Sequence, residues 1–125
     1  MKDEERKNDE FVDLKTRTRE FSLRIIRMYS ALPKATVAQV IGKQVLRSAT
    51  SVGAHYREAT RSRSDAEFIS KLEGGLQELD ETLYWLELLE GEDIFPAERL
   101  KPLQQEADEL IAILVTCVKN RKRNR

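Results

Sequence analysis

Apolar side chains recur along most of the chain at alternating spacings of three and four residues, the period of an amphipathic α-helix that packs on neighbouring helices. In the first such segment the seam positions, which would face those neighbours, are Phe11, Leu14, Thr18, Phe21, Ile25, Met28 and Leu32. Pro33 is expected to end this helix. Thr36 can cap a second helix, with seam positions at Val37, Ile41, Val45, Ser48, Val52, His55 and Ala59.

Two further segments show the same period. Ser64 and Glu67 have the spacing of a capping box, and the seam of the helix that follows is Phe68, Leu72, Leu76, Leu79, Leu83, Leu86 and Leu89. Gly91 is expected to end it. A fourth helix follows Pro96, with seam positions at Leu100, Leu103, Ala107, Leu110, Leu114 and Val118. The start of this helix can be placed at Ala97 or at Lys101. In a helix that begins at Ala97, Pro102 would lie beyond the first turn, where a proline removes a backbone donor.

Four helices joined by short connections predict an all-α fold, an up-down-up-down four-helix bundle, over residues 11–118. No alternating pattern typical of strands competes with it. Residues 1–10 alternate in charge and are predicted to be a lead-in, which would suit a frayed helix and a disordered segment equally well. Residues 119–125 form a basic C-terminal tail.

The length of 125 residues is that of one domain with its own core. The single cysteine, Cys117, can form no intramolecular disulfide, and its apolar surroundings favour a small buried side chain. The N-terminus lacks the apolar segment of a signal peptide, and the longest apolar run, residues 111–115, is far below the roughly 20 residues of a membrane span. We therefore expect a cytoplasmic protein that does not associate with a membrane.

Charge is unevenly distributed, although Lys and Arg equal Asp and Glu at 22 each. Residues 11–63 hold eleven basic and three acidic side chains, whereas residues 64–118 hold fourteen acidic and three basic ones. This polarity indicates either that the basic half pairs with the acidic half, within or between subunits, or that one half is presented to a charged partner.

A basic stripe on the second helix makes this choice specific. It contains no acid, has Thr50 and Ala54 in its middle, and consists of Lys43, Arg47, Arg57 and Arg61. Its negative partner would be either the acidic face of the third helix, in the same or a neighbouring subunit, or a phosphate backbone. On the first helix, by contrast, we expect charges at three- and four-residue spacing to compensate one another along Asp13, Arg17, Glu20, Arg24 and Arg27.

The tail offers a flexible second contact to phosphate through Lys119, Arg121, Lys122, Arg123 and Arg125. The alternative is a solubilising helix end, because cations are favourable at the C-terminal end of a helix dipole. The two interpretations of the stripe and the tail are compatible, since a ring could use its acids internally and still present basic tails at its rim.

His55 is the single histidine, and it lies near Ser51 and Glu58 on the second helix. One histidine supplies one ligand, so no metal site is predicted. We expect a polar seam position that fixes helix register by a hydrogen bond across the bundle, to Glu78 or Glu81. These two carboxylates share a stripe of the third helix with Lys71 and Trp85, and at this spacing they indicate an ion-paired or solvated face more than an acid–base pair.

Tyr84 and Trp85 are the densest aromatic patch. A tryptophan buries a large apolar area and needs one polar partner, which predicts an anchor in the core or at a subunit interface. Stacking on RNA bases is the alternative, but the acids nearby would repel a phosphate backbone: Glu78, Asp80, Glu81 and Glu87.

One ordered set of residues is specific enough to suggest a family. It comprises residues 45–59 (VLRSATSVGAHYREA), Ser64, residues 68–72 (FISKL), Glu78 and residues 81–86 (ETLYWL). This set resembles the bacterial four-helix-bundle family named after intervening sequences in the genes for large-subunit (23S) ribosomal RNA. The chain departs from the family pattern at His55, where asparagine is usual, and at Gly74-Gly75, which replaces better helix formers and indicates a close helix approach.

The resemblance implies a known fold without established catalysis and a ring-forming homo-oligomer, typically a pentamer. A distant relative, the accessory protein of diversity-generating retroelements, associates with nucleic acid. The chain itself has no nucleophile–base pair and no phosphate loop, so an enzyme would need a polar pocket around His55, Glu58 and Glu78. We expect a non-enzymatic oligomeric scaffold without a cofactor, associated with RNA or DNA through the stripe and tail. The alternative is a protein–protein interaction adaptor that does not bind nucleic acid.

Overall fold

The computed structural model describes the backbone of residues 2–124 and the side chains of residues 14–124. The helices are α1 (Lys2–Ser30), α2 (Thr36–Thr60), α3 (Asp65–Gly91) and α4 (Ala97–Arg123), and no strand occurs in the described backbone. Side chains of the predicted lead-in, of Phe11 and Asp13, and of Arg125 lie outside the described residues. The predicted all-α four-helix bundle is confirmed.

Each helix runs antiparallel to the one before it. Gly53 of α2 lies against Thr18, near the middle of α1, whereas Gly42 lies against Tyr29 at the end of α1. Neighbouring helices in sequence are therefore neighbours in space, and α4 closes the bundle beside α1, where the packing is least extensive. As a result the C-termini of α2 and α4 lie at one end of the bundle, and those of α1 and α3 lie at the other.

The seam predicted for α4 is confirmed, since all six of its positions are buried. On α2 the seam position predicted at Val37 is wrong. Val37 is 58% exposed and Val40 is 57% exposed, whereas Ala38 and Gly42 are buried. A Cβ on Gly42 would lie 2.5 Å from Cδ1 of Leu32, so the start of α2 turns a small residue toward α1 and leaves Val37 and Val40 at the surface.

Two caps can be compared with their predictions. Ser64 Oγ accepts a hydrogen bond from the backbone N–H of Glu67 at 3.1 Å, as the capping box predicts. Thr36 is the first helical residue and not a cap; the N-cap is Ala35, without a side-chain hydrogen bond. The loop is instead held by Gln39, which accepts from Tyr29 Oη at 3.1 Å and donates to the carbonyl of Pro33 at 2.9 Å.

The connection from α3 to α4 depends on Asp93, which has φ of 52°. α3 ends at Gly91 as predicted, and the chain then closes a Schellman motif: Ile94 N–H donates to the Leu89 carbonyl at 2.9 Å, and Asp93 N–H to the Glu90 carbonyl at 3.0 Å. α4 begins at Ala97, the earlier of the two possible starts, and Pro102 lies exposed within it.

Candidate nucleic-acid interface

The middle of the basic stripe meets the acidic face of α3 in the same subunit. Arg47 Nη1 lies 3.4 Å from Glu78 Oε2, and its Nη2 binds Glu81 Oε1. The same Glu81 oxygen accepts a hydrogen bond from Trp85 Nε1 at 3.2 Å. The sequence left two negative partners open, the acidic face of α3 and a phosphate backbone. Arg47 pairs with the acidic face of α3.

A second ion pair links α2 to α3 at Glu58, whose Oε2 lies 3.0 Å from Lys71 Nζ. The hydrogen bond from Lys71, together with its charge, holds the pKa of the Glu58 carboxyl below its usual value, and His55 contributes less. Glu58 and Lys71 are thus an exposed structural pair between two helices and not an acid–base pair.

The glycine pair of α3 accommodates His55. A Cβ on Gly74 would lie 2.9 Å from Cε1 of the imidazole, and one on Gly75 would lie 3.6 Å from Cβ of His55. The close helix approach predicted at these glycines is therefore confirmed. The predicted hydrogen bond from His55 to Glu78 or Glu81 is not present: Nδ1 is buried without a partner, and Arg47 engages both carboxylates.

The register-fixing hydrogen bond between α2 and α3 is made instead by Ser48 and Thr82. Both side chains are fully buried, and their hydroxyl oxygens are 2.8 Å apart. In the sequence, Ser48 is a polar residue within an apolar seam, and this position was the signal for a hydrogen bond between helices. No pattern in the sequence indicated Thr82 as its partner. Ser51, predicted to act with His55, donates within its own helix to the Arg47 carbonyl at 2.8 Å.

The aromatic pair is divided between core and surface. Trp85 is half-buried and packs against the core, whereas Tyr84 is 53% exposed. Their ring centroids are 5.1 Å apart with a tilt of 57°. Within the subunit, therefore, Tyr84 contacts Trp85 but is not part of the buried core, and its ring is accessible at the surface.

The basic tail is helical as far as Arg123, where a flexible segment was expected. Arg121 Nη1 lies 3.0 Å from Asp65 Oδ1, and its guanidinium lies 3.7 Å from the ring centroid of Phe68. Lys122 Nζ lies 3.8 Å from Glu73 Oε1. These two cations fasten the end of α4 to the start of α3. Arg125 lies outside the described residues.

Several of the predicted phosphate contacts form no ion pair within the described part of the chain: Lys43, Arg57, Arg61, Lys119 and Arg123. All of these except Lys43 lie at the end of the bundle where α2 and α4 finish. Arg63, in the connection between α2 and α3, adds an exposed cation that the helix pattern did not include. We call the five residues at this end the basic end: Arg57, Arg61, Arg63, Lys119 and Arg123.

Among the described side chains of α1, charges are paired differently from the prediction; Asp13 lies outside them, so its pairing with Arg17 stays a prediction. Arg17 reaches across to α4, with Nη2 lying 2.6 Å from Glu106 Oε1 and 3.6 Å from Glu109 Oε2. Glu20 pairs with Arg19 at 3.2 Å, in preference to Arg17 or Arg24. The reason is geometric: α4 brings carboxylates against α1 that a single-helix pattern cannot include.

Two general features bear on function. Among residues with described side chains, no three metal-ligating groups come together. In the same part of the chain, none of the helices combines the length and the apolar character that a bilayer crossing requires.

Known proteins resemble the chain over most of its length. Residues 11–116 match the family model described as 23S rRNA-intervening sequence protein. A crystal structure of a protein with unknown function from the S23 ribosomal protein family of Bacteroides thetaiotaomicron is 38% identical, with a TM-score of 0.80; the similarity covers 85% of this chain and 98% of that one. Comparison with curated proteins gives no match. The expected distant relationship to the retroelement accessory protein stays a prediction.

Proposed function

The chain belongs to the 23S rRNA-intervening sequence protein family, and from this premise we propose that it is a non-enzymatic oligomeric scaffold that associates with RNA or DNA through its basic end. The observation that carries the proposal is the gathering of five cations at one end of the bundle, on two helix ends and the loop beside them, none of which forms an ion pair with a described carboxylate. A phosphate backbone supplies the complementary charge.

Among the described acids near this end, Glu67 alone forms no ion pair, so the five cations outnumber the unpaired carboxylates there. Asp65 and Glu73 of α3 are engaged by Arg121 and Lys122. The C-terminal ends of the α2 and α4 dipoles are negative and offset part of the repulsion between neighbouring cations. Stabilisation of these helix ends is therefore the alternative reason for the cations to be there. That dipole effect is confined to the last helical turn, however, and Arg63 lies beyond it in the loop.

The phosphate contacts that we propose are fewer than those expected from the sequence. Arg47, Arg121 and Lys122 hold helices together, so their charges are less available to an external partner. Arg57, Arg61, Lys119 and Arg123 remain, Arg63 joins them, and Arg125 continues the same segment by sequence. Lys43 is exposed toward the other end of α2 and would contribute to long-range attraction only.

Self-association would increase the strength of such contacts. We propose a ring-like homo-oligomer, typically a pentamer, in which copies of the basic end act together. Among residues with described side chains, the large apolar ones most exposed to solvent are Ile26, Val37, Val40 and Tyr84. All four lie in the half of the bundle away from the basic end, so association through them would leave the cations accessible.

The test is fluorescence anisotropy of a labelled RNA hairpin and a labelled DNA duplex, titrated with protein over a range of salt concentrations. Binding should weaken steeply with salt, with a log–log slope of about −0.7 to −0.9 for each phosphate contact. The variant with glutamine at all five positions of the basic end should lose most of the affinity and most of the slope. Lys34→Gln with Lys101→Gln, exposed cations at the opposite end, is the matched control.

Unaltered binding by the five-glutamine variant would disprove the assignment of the basic end. The second candidate function is a protein–protein adaptor, which is favoured by the exposed ring of Tyr84 and the exposed Val37 and Val40. A discrete oligomer that ignores both nucleic acids at low salt would support the adaptor.

A further inference from the structure

Three arginines converge at the end of the bundle opposite the basic end. Arg24 and Arg27 of α1 and Arg99 of α4 line an open cavity of about 190 Å³ between the two helices. Its floor is the end of the hydrophobic core, formed by Met28, Phe95 and Leu103, none of which is more than 6% exposed. We call these three cations and their floor the arginine cleft.

The arginines of the cleft have no carboxylate partner among the described residues. The contrast with Arg17 is informative, because it lies in the same α1–α4 groove and is bound by Glu106 and Glu109. Glu20 is four residues from Arg24 but pairs with Arg19. Glu98, the acid beside Arg99 in sequence, is exposed and makes no ion pair within the described side chains.

Arg99 makes two contacts at the start of α4. Its guanidinium lies 4.7 Å from the ring centroid of Phe95, which is itself held in the core. Its backbone N–H donates to the Pro96 carbonyl at 3.0 Å, within the first turn of α4. The partial positive charge of that helix N-terminus adds to the three guanidinium charges. Like charges brought together on ordered helices favour binding of an anion between them.

We propose that the arginine cleft binds a terminal phosphate or diphosphate group. Planar guanidinium groups match phosphate oxygens in pairs, and three of them around a small cavity suit a compact group of high charge more than an extended backbone. This site is separate from the basic end and does not depend on the proposed function. The phosphate could belong to a free small molecule or to the 5′ end of a nucleic acid.

The test is isothermal titration calorimetry of the full chain with sodium pyrophosphate at constant ionic strength. Saturable binding is expected, tighter than that of sodium sulfate and absent with sodium chloride. Arg24→Gln, Arg27→Gln and Arg99→Gln should each weaken pyrophosphate binding about tenfold or more, because each removes a charge-assisted hydrogen bond.

Lys15→Gln is the control, since Lys15 is an exposed cation of the same helix that lies outside the cleft. It should leave the affinity for pyrophosphate unchanged, and circular dichroism melting should show that all four variants remain folded. Absence of saturable binding to the parent chain, or an equal loss in Lys15→Gln, would overturn the proposal.

Competition distinguishes the two sources of phosphate. One short RNA oligonucleotide is used with either a 5′-monophosphate or a 5′-hydroxyl, in the chain whose basic end carries the five glutamines. Displacement of pyrophosphate by the phosphorylated oligonucleotide alone assigns the site to nucleic-acid ends, and displacement by neither assigns it to a free small molecule. Equal displacement by both would contradict recognition of a terminal phosphate.

Discussion

The imidazole of His55 lies directly on Gly74, so close that a Cβ on residue 74 would be 2.9 Å from Cε1 of the ring and 3.0 Å from Nδ1. This contact joins the two positions at which the sequence was expected to depart from the family pattern. A histidine at position 55 takes up the space that a side chain on residue 74 would need, and the glycine pair keeps α2 and α3 close at that level.

The first prediction tests this relationship. Gly74→Ala should destabilise the fold by about 1–2 kcal/mol, because the gain in helix propensity is outweighed by displacement of the ring. In a His55→Ala background the same substitution should stabilise by up to about 1 kcal/mol, and urea denaturation of the four proteins measures the coupling. Gly91→Ala is the control, since nothing lies within 4 Å of its Cβ position. Additive effects of the two substitutions would contradict the contact.

A second prediction concerns the buried hydroxyl pair. Thr82 Oγ1 donates to the Glu78 carbonyl at 2.8 Å, so Ser48 is the donor in the hydrogen bond between the two hydroxyls. Thr82→Val should destabilise by about 1–2 kcal/mol, because it leaves the Ser48 hydroxyl buried without that partner. Adding Ser48→Ala should recover most of the loss, since no unsatisfied hydroxyl then remains. A double variant less stable than Thr82→Val alone would exclude this account.

Hydrophobic period and burial agree on α4 but disagree at the start of α2, for a physical reason. On α4 the buried positions are also the large apolar ones, so period and burial agree, as at Leu110 and Leu114. On α2 the α1-facing surface includes small residues such as Gly42 and Gly53, which allow a close approach but carry little hydrophobic signal. The valines at 37 and 40 carry that signal and point outward.

For the candidate sites, too, the spacing within one helix does not predict the contacts between helices. The basic stripe on α2 was visible from spacing alone, but which cation meets a carboxylate depends on the register of α2 against α3. That register brings Arg47 to Glu78 and Glu81 and leaves Arg57 and Arg61 without an ion pair among the described side chains. The arginine cleft could not be predicted either, because Arg24 and Arg99 are far apart in sequence and meet only when α4 closes on α1.

A third prediction follows from the lowered pKa of Glu58. A carboxyl whose pKa is lower in the folded state adds stability above its unfolded pKa, and this contribution is lost as pH falls through the folded value. Stability should therefore decline on acidification below about 4.5, the usual value for this group, and the decline should be smaller in Glu58→Gln. Glu67→Gln, an exposed carboxylate of α3, is the control. The measurement is the urea midpoint as a function of pH; identical profiles for the parent and Glu58→Gln would refute it.

A fourth prediction concerns the turn before α4. Asp93 adopts a left-handed backbone conformation, with φ of 52°, at the position of a Schellman motif that glycine usually occupies. Asp93→Gly should raise the thermal midpoint, with a gain of up to about 1 kcal/mol, because glycine adopts this conformation without the steric cost of a Cβ. Asp93→Val should do the opposite, since a β-branched residue is poorly tolerated at positive φ. A stabilising valine would show that the turn does not require this conformation in solution.

The last prediction separates assembly from nucleic-acid binding by salt. Arg47 and Arg121 form ion pairs within the subunit, with Glu78, Glu81 and Asp65, so these two charges are not available to join subunits. An oligomer held by exposed apolar side chains such as Tyr84 should then persist in molar salt, whereas binding to phosphate at the basic end should be lost. Light-scattering mass behind size-exclusion chromatography, at low and high salt and with and without RNA, measures both. Dissociation into monomers at high salt would contradict this prediction and place the charges in the subunit interface. The variant Tyr84→Ser should weaken an apolar interface, whereas an interface held by charges would remain intact in this variant at low salt.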